Sequence, residues 1–225
     1  MSGKAIISSV TETYAPLLTY SRPTFERFAE RHGYEVVIDR RKRDNAPDSP
    51  AKRRRARWRK IQLLEKALQQ FGTVVWFDAD VMITKFDRDI LADIAGDCFQ
   101  GLVLEVFPHR YNPNTGVWVL RQDRDSFRFL AKVRKLGQLN HGFADQGSVM
   151  KALGWELGNY KHHGAKISYP SQFLIRTSWL PPEWNPLGLA SRWPSRTKHF
   201  ANMKQTARIT AMQAELQRLK KARWL

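Results

Sequence analysis

The hydrophobic pattern changes period repeatedly along the chain. KAIISSV (4–10) is a near-continuous apolar run of strand length, and TETYAPLL (11–18) turns from it toward a helix. TFERFAERHGY (24–34) has apolar residues at helical spacing, with Arg31 and His32 in the last turn and Gly33 placed to end the helix. YEVVID (34–39) predicts a second strand, and the charged, proline-containing stretch 40–50 predicts a loop. From Ala56 the helical period returns through Trp58, Ile61, Leu64 and Leu68, and the apolar run TVVWF follows at once. GLVLEVF (101–107) and GVWVLR (116–121) predict two more strands separated by a polar turn, PHRYNPNT (108–115). SFRFLAKVRKL (126–136) and QGSVMKALG (146–154) predict helices, and 155–200 predicts irregular chain rich in proline and tryptophan. The end, 207–224, predicts an amphipathic helix with Ile209, Met212, Leu216 and Leu219 on one stripe.

Strand and helix alternating from residue 4 to about residue 85 imply an α/β fold. The expected architecture is Rossmann-like: a mostly parallel central sheet with helices on both faces and a C-terminal amphipathic helix. No G-x-G-x-x-G loop follows the first strand, so a nucleotide must be held by something other than a glycine-rich phosphate cradle. The 225 residues suit one compact domain, 1–205, with 206–225 as a basic helix within the same unit or appended to it.

Composition changes this picture in two respects. The formal net charge of +17 is concentrated in RRKR (40–43), KRRRARWRK (52–60) and the tail LQRLKKARWL, a distribution that attracts polyanions. The single cysteine, Cys98, excludes an internal disulfide. No apolar leader follows Met1 and no apolar run approaches spanning length, so the expected location is the cytoplasm, with contact at the inner face of an anionic membrane as an option.

Candidate chemistry begins in TVVWFDADVMI (73–83), an apolar strand that ends on two aspartates one residue apart. Ligands bind at the carboxyl ends of strands in open α/β sheets, and residues i and i+2 of a strand share a side. Asp78 and Asp80 therefore predict two adjacent carboxylates, which repel unless a hard divalent cation lies between them. Mg²⁺ or Mn²⁺ with a diphosphate is the natural pairing. Phosphatases of the haloacid dehalogenase type also place two aspartates in this way. Met82 stands where they carry Thr or Val, however, and no late acidic metal pair is evident.

Further along, RFAERHGYEVVID, RWRKIQLLEKAL, VVWFDADVMI, NTGVWVLR, ADQGSVMKAL, LPPEWN and KHFANMK occur in that order. Together they resemble the nucleotide-sugar glycosyltransferases of the GT-A fold, in particular the retaining galactosyl-, mannosyl- and xylosyltransferase group, over about residues 4–205. The resemblance implies a nucleoside-diphosphate sugar donor, a glycan or lipid-linked acceptor and a Mn²⁺ or Mg²⁺ cofactor. It implies Asp80 as a metal ligand, Asp78 as a contact to the metal or the ribose, and His199 as the ligand that completes the metal site. Lys204 and Lys60 would contact the diphosphate or donor sugar, and Asn114 and Gly116 the donor and acceptor hydroxyls. Asp145 and Gln146 would lie beside the anomeric carbon, where Asp145 also reads as the N-cap of the following helix. The family has glycine at the position of Asn202, within the turn that leads to Lys204.

The nucleotide base is expected against the turn after the first strand, where Ser9, Thr11 and Tyr14 offer hydroxyls and an aromatic face. Trp179, Trp184 and Trp193 are candidates for an acceptor-stacking wall, with hydrophobic packing as the alternative. Two other classes fit parts of the sequence: a nucleic-acid-binding protein, on charge alone and without a recognition module, and a catalytically inactive nucleotide-binding GT-A domain.

Overall fold

The computed structural model describes residues 3–41, 50–107, 110–137, 139, 145–157, 166–167, 169–187 and 194–225. The charged stretch 42–49 and Trp193 lie outside them. The chain opens with β1 (Lys4–Thr11), α1 (Ala15–His32), β2 (Tyr34–Arg41), α2 (Pro50–Leu68) and β3 (Thr73–Phe77). Next come β4 (Val81–Ile83), β5 (Gln100–Phe107), β6 (Arg110–Arg121), α3 (Arg124–Leu136) and α4 (Asp145–Leu153). β7 (Trp155–Glu156), β8 (Lys166–Ile167), β9 (Thr177–Leu180), β10 (Thr197–His199) and α5 (Gln205–Lys221) complete it.

Six strands form the central sheet in the order β2-β1-β3-β6-β5-β9. β1 pairs in parallel with β2 and β3, and β5 with β9, while β6 alone runs against its neighbours β3 and β5. The period of two along each strand sorts the core. Trp76, Leu102, Trp118 and Leu120 face α2, α3 and α4. The alternate residues Val75, Phe77, Val103, Val117 and Val119 pack with Phe25 and Phe28 of α1. Burying side chains of this size contributes about 1.5–3 kcal/mol each.

Several elements differ from the sequence pattern. α1 starts at Ala15, well before the helical run at Thr24, and carries Pro23 in its interior. Burial of Leu17 and Leu18 stabilises the extra turns, and the Ser21 and Thr24 hydroxyls donate to Leu17 O and Ser21 O around the proline. α2 begins at Pro50 rather than Ala56, with proline in the first turn, where its missing N–H costs nothing. The expected polar turn 108–115 is largely strand: β6 runs through Pro113, opposite Leu104. Among the described strands β6 pairs there with β5 and no longer with β3, so proline on its other side interrupts no described ladder. Within 155–200, TSWL forms the edge strand β9 rather than irregular chain.

The C-terminal stripe is as expected: Met212, Leu216 and Leu219 pack with Val10, Leu17, Leu18 and Met82. No helix among the described residues is long and apolar enough to cross a membrane.

Candidate active site

β3 stops at Phe77, and the next four residues form a turn closed by the Val81 N–H donating to Asp78 O (2.9 Å). The two aspartates thus converge through a turn rather than through strand alternation. The turn is held from the side by β6. Between Asn114 and Trp118 the β5–β6 register breaks into a bulge, and its Gly116 carbonyl accepts from the Asp78 N–H at 2.8 Å. Bulges re-aim side chains next to active sites. This one brings Asn114, Thr115 and Gly116 to the aspartate turn.

β4 leaves that turn and pairs antiparallel with β10, with His199 opposite Val81. Phe200 N–H donates to Asp80 O at 2.9 Å, and Lys198, next to the histidine, is paired with Glu215 of α5 at 2.5 Å. His199 Nε2 consequently lies 3.3 Å from Asp80 Oδ1. Ligand atoms of Asp78, Asp80 and His199 all fall within 4.8 Å of one another, which suits one divalent cation. Burial opposes charge on both members of the His199–Asp80 pair, but their mutual attraction outweighs it, raising the imidazole pKa and lowering that of Asp80.

Lys60 of α2, only 5% exposed, sits between Asp78 (2.9 Å) and Asp145 (3.1 Å) and donates to Thr115 O at 3.0 Å. Burial acts to lower its pKa; Asp145 and Asp78 more than offset this and raise it. Asp145 is the first residue of α4, and its carboxylate is taken up by Lys60 and by the Thr115 hydroxyl (3.2 Å). Gln146 beside it makes long contacts of 3.4 Å with Asn114 Nδ2 and with Glu105.

Ser9 and Thr11 lie at the carboxyl end of β1, beyond its last pair with β3, Ile7↔Trp76. Ser9 donates to Asp39 Oδ2 at 3.3 Å, and Tyr14 stands at the N-cap of α1, immediately before Ala15. Lys204 is exposed at the N-cap of α5. Asn202 adopts the left-handed conformation (φ 59°) that glycine would otherwise supply, so the turn keeps its geometry with asparagine. Trp184 is fully buried, with its Nε1 donating to Asp93 Oδ2 at 2.8 Å, and is removed from the acceptor wall. Trp179 is 37% exposed and packs edge-on against Trp155.

Several residues at this site escaped the sequence reading. Arg208, one turn after Lys204, reaches Asp80 Oδ2 at 3.4 Å. Glu105 accepts from Asn114 at 2.9 Å, and the signal for it was the lone carboxylate in GLVLEVF. Asn185, the last residue of LPPEWN, is fully buried against His199 and Asn114. Among the described residues, four carboxylates (Asp78, Asp80, Asp145, Glu105) thus face two fixed cations, Lys60 and Arg208. A divalent cation held by Asp78, Asp80 and His199 would add positive charge to this acidic side.

No protein-family model and no curated protein matches the sequence. The fold does match solved structures. A glycosyltransferase involved in glycosylation of the major capsid of PBCV-1 superposes with a TM-score of 0.66 at 17% identity, over 94% of this chain and 99% of that one. The fold is GT-A. The galactosyltransferase LgtC, solved with donor and acceptor sugar analogs, shares it with a TM-score of 0.53 at 12% identity, over 94% of this chain and 95% of the other. In this GT-A chain the acidic turn, Lys60 and the bulge gather at the carboxyl end of β3, the edge where open α/β sheets bind ligands.

Proposed function

We propose that the chain is a metal-dependent glycosyltransferase that moves a hexose or pentose from a nucleoside-diphosphate sugar to a hydroxyl of a glycan or lipid-linked acceptor, with retention. The observation that carries this reading is the meeting of Asp78, Asp80 and His199 within 4.8 Å on a GT-A sheet. Asp78, Asp80 and His199 would hold Mn²⁺ or Mg²⁺, which supplies charge neutralisation for the departing diphosphate. Arg208 and Lys204, at the start of α5, supply further positive charge on the same side. Ser9, Thr11 and Tyr14 bind the nucleoside, and Asn114 helps to orient the sugar.

Asp145 is bound to Lys60 and 7% exposed, which favours Gln146 and the adjoining Glu105 as the polar groups that meet the anomeric centre. Asp145 then acts by holding Lys60 against Asp78. Trp179 is the remaining described candidate for stacking an acceptor sugar. The exposed Trp224, with Lys220, Lys221 and Arg223 nearby in sequence, supports peripheral contact with an anionic membrane, tested by flotation with anionic and neutral vesicles.

The test is a panel of UDP- and GDP-sugars with Mn²⁺ or with EDTA, read as nucleoside diphosphate release. One donor is expected to turn over with metal and not with EDTA, and Asp80→Ala to abolish that turnover. Failure of every donor to bind or react overturns the proposal.

A further inference from the structure

We infer that Asn185 is a positioning residue that fixes the tautomer of His199 and joins the metal ligands to the sugar-handling side of the site. The inference rests on the metal-site reading of Asp78, Asp80 and His199. The N–H of Gly116 can only donate, and it lies 2.6 Å from one amide atom of Asn114, which is therefore the carbonyl oxygen. The other end of that amide, Nδ2, accordingly faces oxygen acceptors, Glu105 Oε1 at 2.9 Å and Gln146 Oε1 at 3.4 Å. Asn185 approaches the same Asn114 oxygen at 2.7 Å and must present its NH₂ group there. Its own oxygen is then the atom 2.8 Å from His199 Nδ1.

An amide oxygen cannot donate, so Nδ1 carries a proton, while Nε2 faces a second acceptor, the Asp80 carboxylate, to which the charged ring can also donate. A cation held between Nε2 and Asp80 would replace the Nε2 proton, and the hydrogen bond to Asn185 keeps the neutral ring in its Nδ1–H form. A metal-binding histidine is typically fixed in this way by a hydrogen bond to its other nitrogen. Asn185 is completely buried, and the segment around it is pinned by the Trp184 indole on Asp93 and by the Thr197 hydroxyl donating to Trp184 O at 2.7 Å. One amide thus couples two groups: on one side the ring that would hold the metal, on the other the Asn114 amide that contacts Gln146.

The two couplings can be separated by substitution. Asn185→Leu keeps the approximate shape and removes both hydrogen bonds. Asn185→Asp keeps an acceptor for His199 Nδ1–H but turns a second acceptor toward the Asn114 oxygen. The measurements are the His199 ¹⁵N side-chain shifts of the metal-free protein, at a pH where the ring is neutral, and Mn²⁺ affinity followed by the EPR signal of free Mn²⁺. Wild type is expected to show the Nδ1–H form. Asn185→Leu should lose that preference and weaken Mn²⁺ binding by about 10–100-fold, while Asn185→Asp should retain the tautomer and lose less affinity than the leucine variant.

An Nε2–H tautomer in wild type, or unchanged tautomer and affinity in a folded Asn185→Leu, overturns the inference. If Asn185→Leu fails to fold, the wild-type and Asn185→Asp shifts still decide it. If wild type binds no Mn²⁺, the metal-site reading fails, while the tautomer measurement still reports on Asn185 separately.

Discussion

Gly116 faces the imidazole of His199 so closely that a Cβ on the glycine would lie 2.5 Å from His199 Cε1 and 3.0 Å from Nδ1. The sequence resemblance linked this glycine to sugar hydroxyls. Its place in the structure supports a different need: the bulge of β6 must pass beneath a buried ring, and any side chain would push that ring away from Asp80. The neighbour is a ring held at Nδ1 by Asn185, so it cannot swing aside as a lysine tip would. Gly116→Ala is expected to cost about 1–3 kcal/mol of stability through overpacking and to weaken Mn²⁺ binding in the fraction that folds. Calorimetric titration with Mn²⁺, alongside thermal unfolding, checks both. Unchanged metal affinity would show that His199 tolerates displacement.

Lys60 offers a test in which stability and metal binding should move in different directions. Lys60→Met leaves the carboxylates of Asp78 and Asp145 without the cation between them, at a cost on the order of 3 kcal/mol. Removing a positive charge 2.9 Å from Asp78 should leave Mn²⁺ affinity equal or tighter. Denaturant unfolding and Mn²⁺ titration of the variant give the two readouts. Weaker metal binding in a folded variant would mean that Lys60 organises the ligand turn rather than balancing its charge.

Two tryptophans once grouped together are expected to separate. Trp184→Ala empties a fully buried site and should destabilise the fold by about 3–5 kcal/mol. Trp179→Ala removes a partly exposed ring that meets Trp155 edge-on, and should cost only about 1 kcal/mol. If Trp179 stacks an acceptor, its variant raises the acceptor KM with little change in Tm, a split that Trp184→Ala cannot produce.

Asp89 predicts a definite pH dependence. Burial alone would raise its pKa, but bonds from the Tyr34 hydroxyl (2.5 Å), the Leu91 N–H (3.1 Å) and Lys4 (3.0 Å) hold it below the usual carboxylate range. A depressed folded-state pKa stabilises the fold above the unfolded value of about 3.9, and that contribution is lost as pH falls through the lower folded value. Asp89→Asn should therefore be less stable than wild type at neutral pH, with the gap closing in acid. Thermal unfolding of both proteins from neutral pH to pH of about 3 measures it.

Asp123 separates helix capping from metal chemistry. Its carboxylate caps α3 by accepting from the Asp125 N–H at 2.7 Å and pairs with Arg176 at 3.1 Å. Asp123→Ala should lower stability by about 1 kcal/mol and leave Mn²⁺ affinity unchanged, in contrast to Asp80→Ala. Equal losses of metal binding in the two variants would argue against a localised site.

Much of the framework could be read from local pattern. The alternation of strand and helix, the end of α1 at Gly33, the buried stripe of α5 and the acidic pair after TVVWF all follow from periods of two and 3.6 and from turn chemistry, which act between near neighbours. Even the asparagine in place of glycine at 202 has a local explanation, since its short polar side chain tolerates positive φ. What local pattern could not decide was set by pairings between distant segments. β6 continues through Pro113 because, among the described strands, it pairs there with β5 and not with β3, and Trp184 is buried because its segment docks on β10. His199 meets Asp80 through the pairing of β10 with β4, and Asn185 and Arg208 reach the same point from the segments packed around that pair. The sequence by itself determined which residue types stood ready at the end of β3. Only the tertiary structure decided which of them meet, because strand register and the burial of whole faces are settled across the chain and not along it.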